Sequence, residues 1–384
     1  MREAKIDGLV CTLPVNVLLL TGYWPVVGTS VAVATRGGHV ALLAPRDESD
    51  LARKGGADEV STFDPGPLDR ITTAVEAVRN PLTEVIRKLG LEHAVVGCEG
   101  AEAFEPSSYA DMHLYCAGVV ELLSTTIAGA DLKSAGGLLA QLHSVMTPLE
   151  IERVRRACRI AQSAYLDGAE HLRSGILETE AAIHFRSPLS VQGTGRDGTE
   201  RADGFVFCMS GVNSASAHGA YARSRAKKLL ENDLVLTHCN SYADGYWTDI
   251  TRTFVIGAPD ERKRKMYQAV FEAKTAALEA IRPGAEARSV DAAARDVMKS
   301  HGFGKAFKHA TGHGVGFSAI LHNALPRLHP ASPDRLETGM VFNVEPAVYL
   351  ENYGGLRHCD MVAVRENGAE LLTPFQCRIE ELIK

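Results

Sequence analysis

Apolar and polar positions change their spacing several times along the chain. Over the first ~130 residues, short apolar runs alternate with helix-like patterns. Val31 to Thr35 and Val40 to Ala44 flank Gly37-Gly38, a hairpin signal. Pro81 to Leu89 reads as a helix stopped by Gly90, and His93 to Cys98 as the next strand. The alternation predicts an α/β unit. Residues 8 to 35 carry no charge, a run long enough to span a bilayer. Pro14, Asn16, Gly22, Pro25, Gly28, Thr29 and Ser30 interrupt it, so it reads as two buried strands around a turn.

A stronger helix start follows. Thr147-Pro148-Leu149-Glu150 is a capping box with Pro at the first helical position. Leu149, Ile151, Val154, Ala157, Ile160, Ala161 and Ala164 then recur at helical spacing, to a stop between Arg173 and Gly175. Further helices are expected from Asp260 to Pro283-Gly284 and from Ser289 to His301, with strands between and after them. The domain boundary is placed between residues 135 and 147, giving an N-terminal domain over 1–140 and a second domain over 147–384.

Composition narrows the classes. Lys plus Arg total 41 against 47 Asp plus Glu, a net charge of −6, which argues against binding nucleic acid through phosphate contacts. Hydrophobic residues make up 45%, enough for a sizeable core and against a disordered chain. The eight Cys are scattered without a CxxC, a pattern of reduced thiols in a cytoplasm. The opening Met-Arg-Glu-Ala-Lys-Ile-Asp mixes signs and leads to no clear cleavage site, against a secretory signal. A cytoplasmic protein that engages neither membrane nor nucleic acid is expected.

Eight of the fourteen His lie after residue 200, which points to a site in the second domain. Leu234 to Val255 reads as a hairpin turning at Asp244-Gly245. That loop pairs 238 with 251 and 240 with 249, so His238 and Asp249 become diagonal neighbours on one face, close enough to share a metal ion. A hairpin with one polar face is the plainer alternative. His309 and His313 sit in a Gly-rich stretch, His309-Ala-Thr-Gly312-His313-Gly314-Val-Gly316, with His322 nine residues further on. A second hairpin runs from Gly339 through Glu345-Pro346, turns at Gly354-Gly355, and returns through Leu356-Arg357-His358-Cys359-Asp360. Glu345 ends an apolar strand and is expected to be half buried, needing a cation or a strong donor. A salt bridge to Arg357 competes with a metal for that role. Asp, His, Glu and Cys all ligate divalent metals, though no spacing here is a zinc-finger or HExxH signature.

Taken together and in this order, these segments resemble the M24 "pita-bread" family of Xaa-Pro aminopeptidases, prolidases and creatinases over nearly the whole chain. Asp7-Gly-Leu-Val with Asn16 to Tyr23 is similar to the family's first domain, and Met146 to Ala157 to the helix opening its catalytic domain. Ser210-Gly-Val-Asn-Ser-Ala-Ser-Ala-His218 is similar to a segment bearing an active-site His. Gly245-Tyr-Trp-Thr-Asp249-Ile-Thr-Arg-Thr253 is close to the Asp motif, and Gly312-His313-Gly-Val-Gly316 and Glu345-Pro346 complete the set. The resemblance implies an α/β N-terminal domain followed by an α+β pita-bread catalytic domain, and a homodimer. Metal-dependent members hold two ions with two Asp, one His and two Glu. Here Asp249, His313 and Glu345 match. The other two positions fall on His238, eleven residues before Asp249, and on Cys359. Ala347 replaces a usual Gly, and Asn323 a usual acid. Both altered ligands serve mainly the second ion, and both still ligate metals.

The resemblance therefore implies one or two divalent ions at His238, Asp249, His313, Glu345 and Cys359. The thiol favours zinc over manganese or cobalt. It implies hydrolysis of an amide bond in a small peptide of the Xaa-Pro type or a related small amide. Glu345 would bind metal and shuttle a proton. His218 and His322 would donate hydrogen bonds to substrate, Arg357 would bind a substrate carboxylate, and His309 would support the site from behind. Three alternatives stay open. One is a metal-free creatinase-like enzyme with His218 as general base. Another is a binding protein on an inactive peptidase scaffold. The third is a metal-assisted lyase.

Overall fold

A computed structural model describes residues 1–25, 29–69, 71–99, 116–127, 129–219, 223–319 and 324–384. The chain divides into two compact units, the first ending at His143 and the second running from Ser144 to Lys384.

In the first unit, β1 (Gly8–Cys11), β2 (Val31–Thr35), β3 (Val40–Pro45), β4 (Glu59–Phe63), β5 (Val95–Cys98) and β6 (Asp131–Ser134) form one sheet in the order β4-β3-β2-β1-β5-β6. β2 is antiparallel to both its neighbours, with Ala34 opposite Val40 across the Gly37-Gly38 turn. The other pairs are parallel. The helices are α1 (Pro14–Thr21), α2 (Ser49–Arg53), α3 (Ala74–Lys88), α4 (Cys116–Thr126) and α5 (Gly136–Ser144). Val10, Val31, Val33 and Leu43 pack one sheet face against Val78, Leu82 and Ile86 of α3 and Leu123 of α4. Ala32, Leu42 and Ala44 pack the other face against Val17 and Tyr23. Two elements differ from the sequence reading. The uncharged run holds a helix, α1, where a turn was expected, because Pro14 starts it and left-handed Gly22 stops it. α3 begins at Ala74, capped by Thr73 and Glu76, and Pro81 lies inside it; the apolar stripe facing the sheet outweighs the lost hydrogen bond. Among the described residues, no helix is long and apolar enough to cross a membrane.

In the second unit, α6 (Pro148–Glu170) carries the expected Thr147–Glu150 capping box. α7 (Glu178–Val191) follows, then three antiparallel strands, β7 (Ala202–Ser210), β8 (Leu234–Ala243) and β9 (Tyr246–Val255). Ala243 pairs with Tyr246, leaving Asp244-Gly245 as the two-residue loop. Tyr165 of α6 reaches the backbone carbonyls of Thr237 and Ile250, at 2.9 and 2.8 Å, and so pins the sheet to the helix. Next come α8 (Glu261–Ala280), capped by Asp260, and α9 (Ala287–Ser300).

The second hairpin is split. β10 (Val341–Val344) pairs with β13 (Asp360–Arg365), and β11 (Ala347–Leu350) pairs with β12 (Gly354–Arg357). β14 (Gly368–Leu371) adds to β13. Glu345-Pro346 and His358-Cys359 fall in the break, where Pro346 has no N–H to give to a ladder. The turn is Glu351–Asn352–Tyr353, with Asn352 left-handed, one step before the expected Gly354-Gly355. Those glycines belong to the strand. A Cβ at Gly355 would stand 2.2 Å from the Ser214 carbonyl oxygen, so the strand packs directly on the Gly211–Ser216 turn that leads to His218.

Candidate metal centre

The hairpin β8-β9 brings His238 opposite Thr251 and Asn240 opposite Asp249, the register expected from its loop. Side chains alternate between faces. His238 and Asp249 therefore share one face, while Cys239 and Ile250 are buried on the other. His238 Nδ1 lies 3.6 Å from Asp249 Oδ1 and 3.1 Å from Thr251 Oγ1.

His313 enters from the glycine-rich segment. Its backbone carbonyl accepts the Asn343 N–H at 3.1 Å, which stitches the segment to β10. A Cβ at Gly312 would stand 1.9 Å from the Asn343 carbonyl oxygen, so only glycine permits this approach. His313 Nδ1 lies 3.1 Å from the Gly314 carbonyl, which can only accept. The proton is thus on Nδ1, and Nε2 carries a lone pair 3.7 Å from Asp249 Oδ2. Burial, with the Arg357 charge, pushes the His313 pKa down to about 4, so the ring is neutral.

The split in the second hairpin places Glu345 and Cys359 at the same spot. Cys359 is fully buried, its Sγ 3.1 Å from the Asp249 carbonyl and 3.6 Å from Asp249 Oδ1. Burial and the nearby Asp249 and Glu345 push its thiol well up. The Glu345 carboxyl is pushed up to about 8 by burial and by Asp249, with Arg357 opposing. Arg357 Nη1 stands 3.6 Å from Glu345 Oε2, so the salt bridge weighed from sequence is present. Arg357 is itself buried, and its Nε donates to Thr251 Oγ1 at 3.0 Å.

His309 lies behind Glu345, with Nδ1 3.9 Å from Oε1 and 2.8 Å from the Ala310 carbonyl. Its Nε2 meets the Tyr349 hydroxyl at 3.0 Å. The exposed ring of His218 stands edge-on to Tyr349 at 5.4 Å. His322 lies outside the described residues. Two participants escaped the sequence reading. Tyr349 links His218 to His309. Asn343 bonds both Asp249 and His313, and its only signal was a polar residue inside the apolar strand Val341–Val344.

Pair by pair, the spacings around Asp249 suit a divalent ion, although no three of His238, Asp249, His313, Glu345 and Cys359 offer ligand atoms that all lie within 4.8 Å of one another in this structure. Zinc bonded to nitrogen or oxygen at ~2.0–2.1 Å and sulfur at ~2.3 Å holds neighbouring ligand atoms about 3.3–3.7 Å apart. Asp249 is 3.6, 3.6 and 3.7 Å from His238, Cys359 and His313. The contacts divide, with His238 and Cys359 on Oδ1 and His313 on Oδ2. Among the described residues, the group of three that does meet this spacing lies elsewhere. His358, Asp360 and Cys377 offer ligand atoms within 4.8 Å of one another. However, Asp360 already holds Arg252 Nη2 at 2.6 Å, Lys274 Nζ at 3.0 Å and Thr373 Oγ1 at 2.8 Å. A divalent ion there would face two fixed positive charges, so this cluster is a charge network.

Comparisons with known proteins agree with this architecture. Residues 152–366 match the model of metallopeptidase family M24, and residues 1–142 match the creatinase/prolidase N-terminal domain. The chain is 30% identical over 373 residues to an Xaa-Pro dipeptidase of Pyrococcus furiosus, covering 97% of this chain and 95% of that one. The solved prolidase from Pyrococcus furiosus superposes with a TM-score of 0.75 at 29% identity, covering 98% of both chains. An X-Pro aminopeptidase from Thermotoga maritima shares the fold, with a TM-score of 0.81 at 21% identity over 99% of this chain and 98% of that one. The chain is a member of metallopeptidase family M24, a family of divalent-metal enzymes, with a creatinase/prolidase N-terminal domain ahead of its pita-bread catalytic domain.

Proposed function

We propose that this protein is a metal-dependent Xaa-Pro dipeptidase-like hydrolase acting on a small peptide. The observation that carries this reading is the position of Asp249, with candidate ligands on both oxygens and Glu345 close by. Asp249, His313 and Glu345 would hold a divalent ion, with His238 and Cys359 on the other side of Asp249. The thiol favours zinc there, over manganese or cobalt. Such an ion acts as a Lewis acid, making water nucleophilic near neutral pH and polarising the scissile carbonyl.

The chain's own residues do the rest. Glu345 would take the proton of the attacking water and return it to the leaving amine. His218 donates a hydrogen bond to the substrate carbonyl as charge develops on its oxygen. His322 is assigned the same kind of role. His309, held by the Ala310 carbonyl and Tyr349, keeps Glu345 and the His218 side of the site in register. Arg357 pairs with Glu345 and is assigned to a substrate carboxylate.

A cytoplasmic homodimer completes the proposal. Cys11, Cys98, Cys158, Cys208, Cys239, Cys359 and Cys377 are free thiols, as suits a reducing compartment. The test is metal content of the untagged protein, followed by turnover of Xaa-Pro dipeptides. Stoichiometric metal with hydrolysis supports the reading. Absent metal together with turnover of a small guanidino compound would replace it by the creatinase-like one, and peptide binding without turnover by a binding protein.

A further inference from the structure

Asn343 is fully buried in β10. Its side-chain oxygen accepts the backbone N–H of His313 at 2.7 Å. That bond fixes which end of the amide is oxygen. The NH2 end then faces Asp249 Oδ2 and His313 Nε2, each at 3.3 Å. Both partners are lone pairs, one on a carboxylate and one on the unprotonated nitrogen of a neutral imidazole. The amide offers each of them one hydrogen. A divalent ion held by Asp249 and His313 needs the single lone pair of Nε2 and one of the two on Oδ2.

We propose that Asn343 is a built-in placeholder for the metal, donating to Asp249 Oδ2 and His313 Nε2 in the ion-free protein and competing with the ion for the Nε2 lone pair. The inference rests on the metal centre proposed above and says how that centre is tuned. A lone pair that points at an N–H cannot at the same time point at an ion, so binding requires the amide to withdraw. Withdrawal breaks two hydrogen bonds, one of them charge-assisted, and the free energy lost is subtracted from the affinity. The tether from His313 N–H to Oδ1 opposes the withdrawal. The benefit lies in the ion-free state, where a buried carboxylate without donors is costly. Asn343 is therefore a positioning residue that sets how tightly and how reversibly the centre holds its ion.

The test is Asn343→Ala in the full chain, with zinc and cobalt dissociation constants measured by chelator competition. The visible spectrum of the cobalt form reports the coordination directly. The placeholder role predicts affinity raised about tenfold, the equivalent of one charge-assisted hydrogen bond, and a lower melting temperature without metal. A merely structural role predicts the opposite for affinity, because a disturbed centre binds less. Asn343→Asp covers the case in which the alanine variant does not fold. It keeps the tether to His313, removes the donor, and is also expected to bind more tightly. Unchanged or weaker affinity in the folded variant overturns the placeholder and leaves the metal centre standing. If neither parent nor variants bind metal, both readings fall.

Discussion

His313 Nε2 faces Asp249 Oδ2 across 3.7 Å and carries no proton. A neutral imidazole lone pair and a carboxylate oxygen from segments far apart in the chain thus converge on one space. The buried carboxyl group of Glu345 lies close enough to Asp249 to feel its charge. His313→Ala removes the imidazole nitrogen that faces Asp249 Oδ2. It is expected to release most of the bound metal and abolish turnover, while circular dichroism stays that of the parent. Full metal content with full turnover in this variant would sink the assignment.

Cys359 and Cys239 provide a paired test. Both thiols are buried, but Cys359 Sγ lies 3.6 Å from Asp249 Oδ1 while Cys239 points to the opposite sheet face. Cys359→Ser is expected to weaken zinc binding about tenfold or more, since oxygen replaces a soft sulfur ligand. Cys239→Ser should leave zinc affinity unchanged. Equal, negligible effects in the two variants would leave a one-metal centre on Asp249, His313 and Glu345.

His218 separates substrate chemistry from metal chemistry. Its ring is exposed and touches Tyr349 rather than any candidate ligand. His218→Ala is expected to lose roughly 10² or more in catalytic rate, as for removal of a transition-state donor. Metal content should stay at the parent level. A fall in metal that tracks the fall in activity would assign His218 to the centre instead.

The sequence carried local and strand-pair information well. The Asp244-Gly245 loop fixed the register that puts His238 beside Asp249, because a two-residue hairpin leaves no freedom in pairing. Alternation then put His238 and Cys239 on opposite faces. What it could not show was how segments far apart in the chain meet. The turn at Asn352 rather than Gly354-Gly355 followed from the need of Gly355 to sit against Ser214, a contact across 141 positions. Asn343 gives little sequence signal because a single Asn in an apolar strand has no local pattern. Its meaning comes from Asp249 and His313, neither of which is its neighbour in sequence. α1 is hidden for a different reason. In a run this apolar, periodicity does not distinguish helix from strand, and only Pro14 and Gly22 marked its ends.

The last prediction concerns the charge network behind Cys359. Arg252 is fully buried and pairs with Asp360 at 2.6 Å, while also donating to the carbonyls of Cys359, Thr373 and Phe375. Burial alone would raise the Asp360 pKa; Arg252, His358 and Lys274 outweigh it and hold the carboxyl well below the usual range. Arg252→Met leaves that carboxylate short of its main partner, at a cost of roughly 3–5 kcal/mol at neutral pH. The sign with pH follows from the depressed value. The folded-state pKa lies below the unfolded one, so the pair's stabilisation is full above about pH 4 and is lost as pH falls through the depressed pKa. Removing Arg252 raises the Asp360 pKa, so the variant begins to protonate at a pH where the parent is still ionised. The stability gap between parent and variant should therefore be largest near pH 7 and narrow on acidification towards pH 3. The carbonyls that Arg252 served keep it from closing completely. Urea midpoints of the metal-free proteins at pH 7, 5 and 3.5 measure this. A gap that is constant across that range would mean that Arg252 stabilises the fold through its carbonyl contacts and not through Asp360.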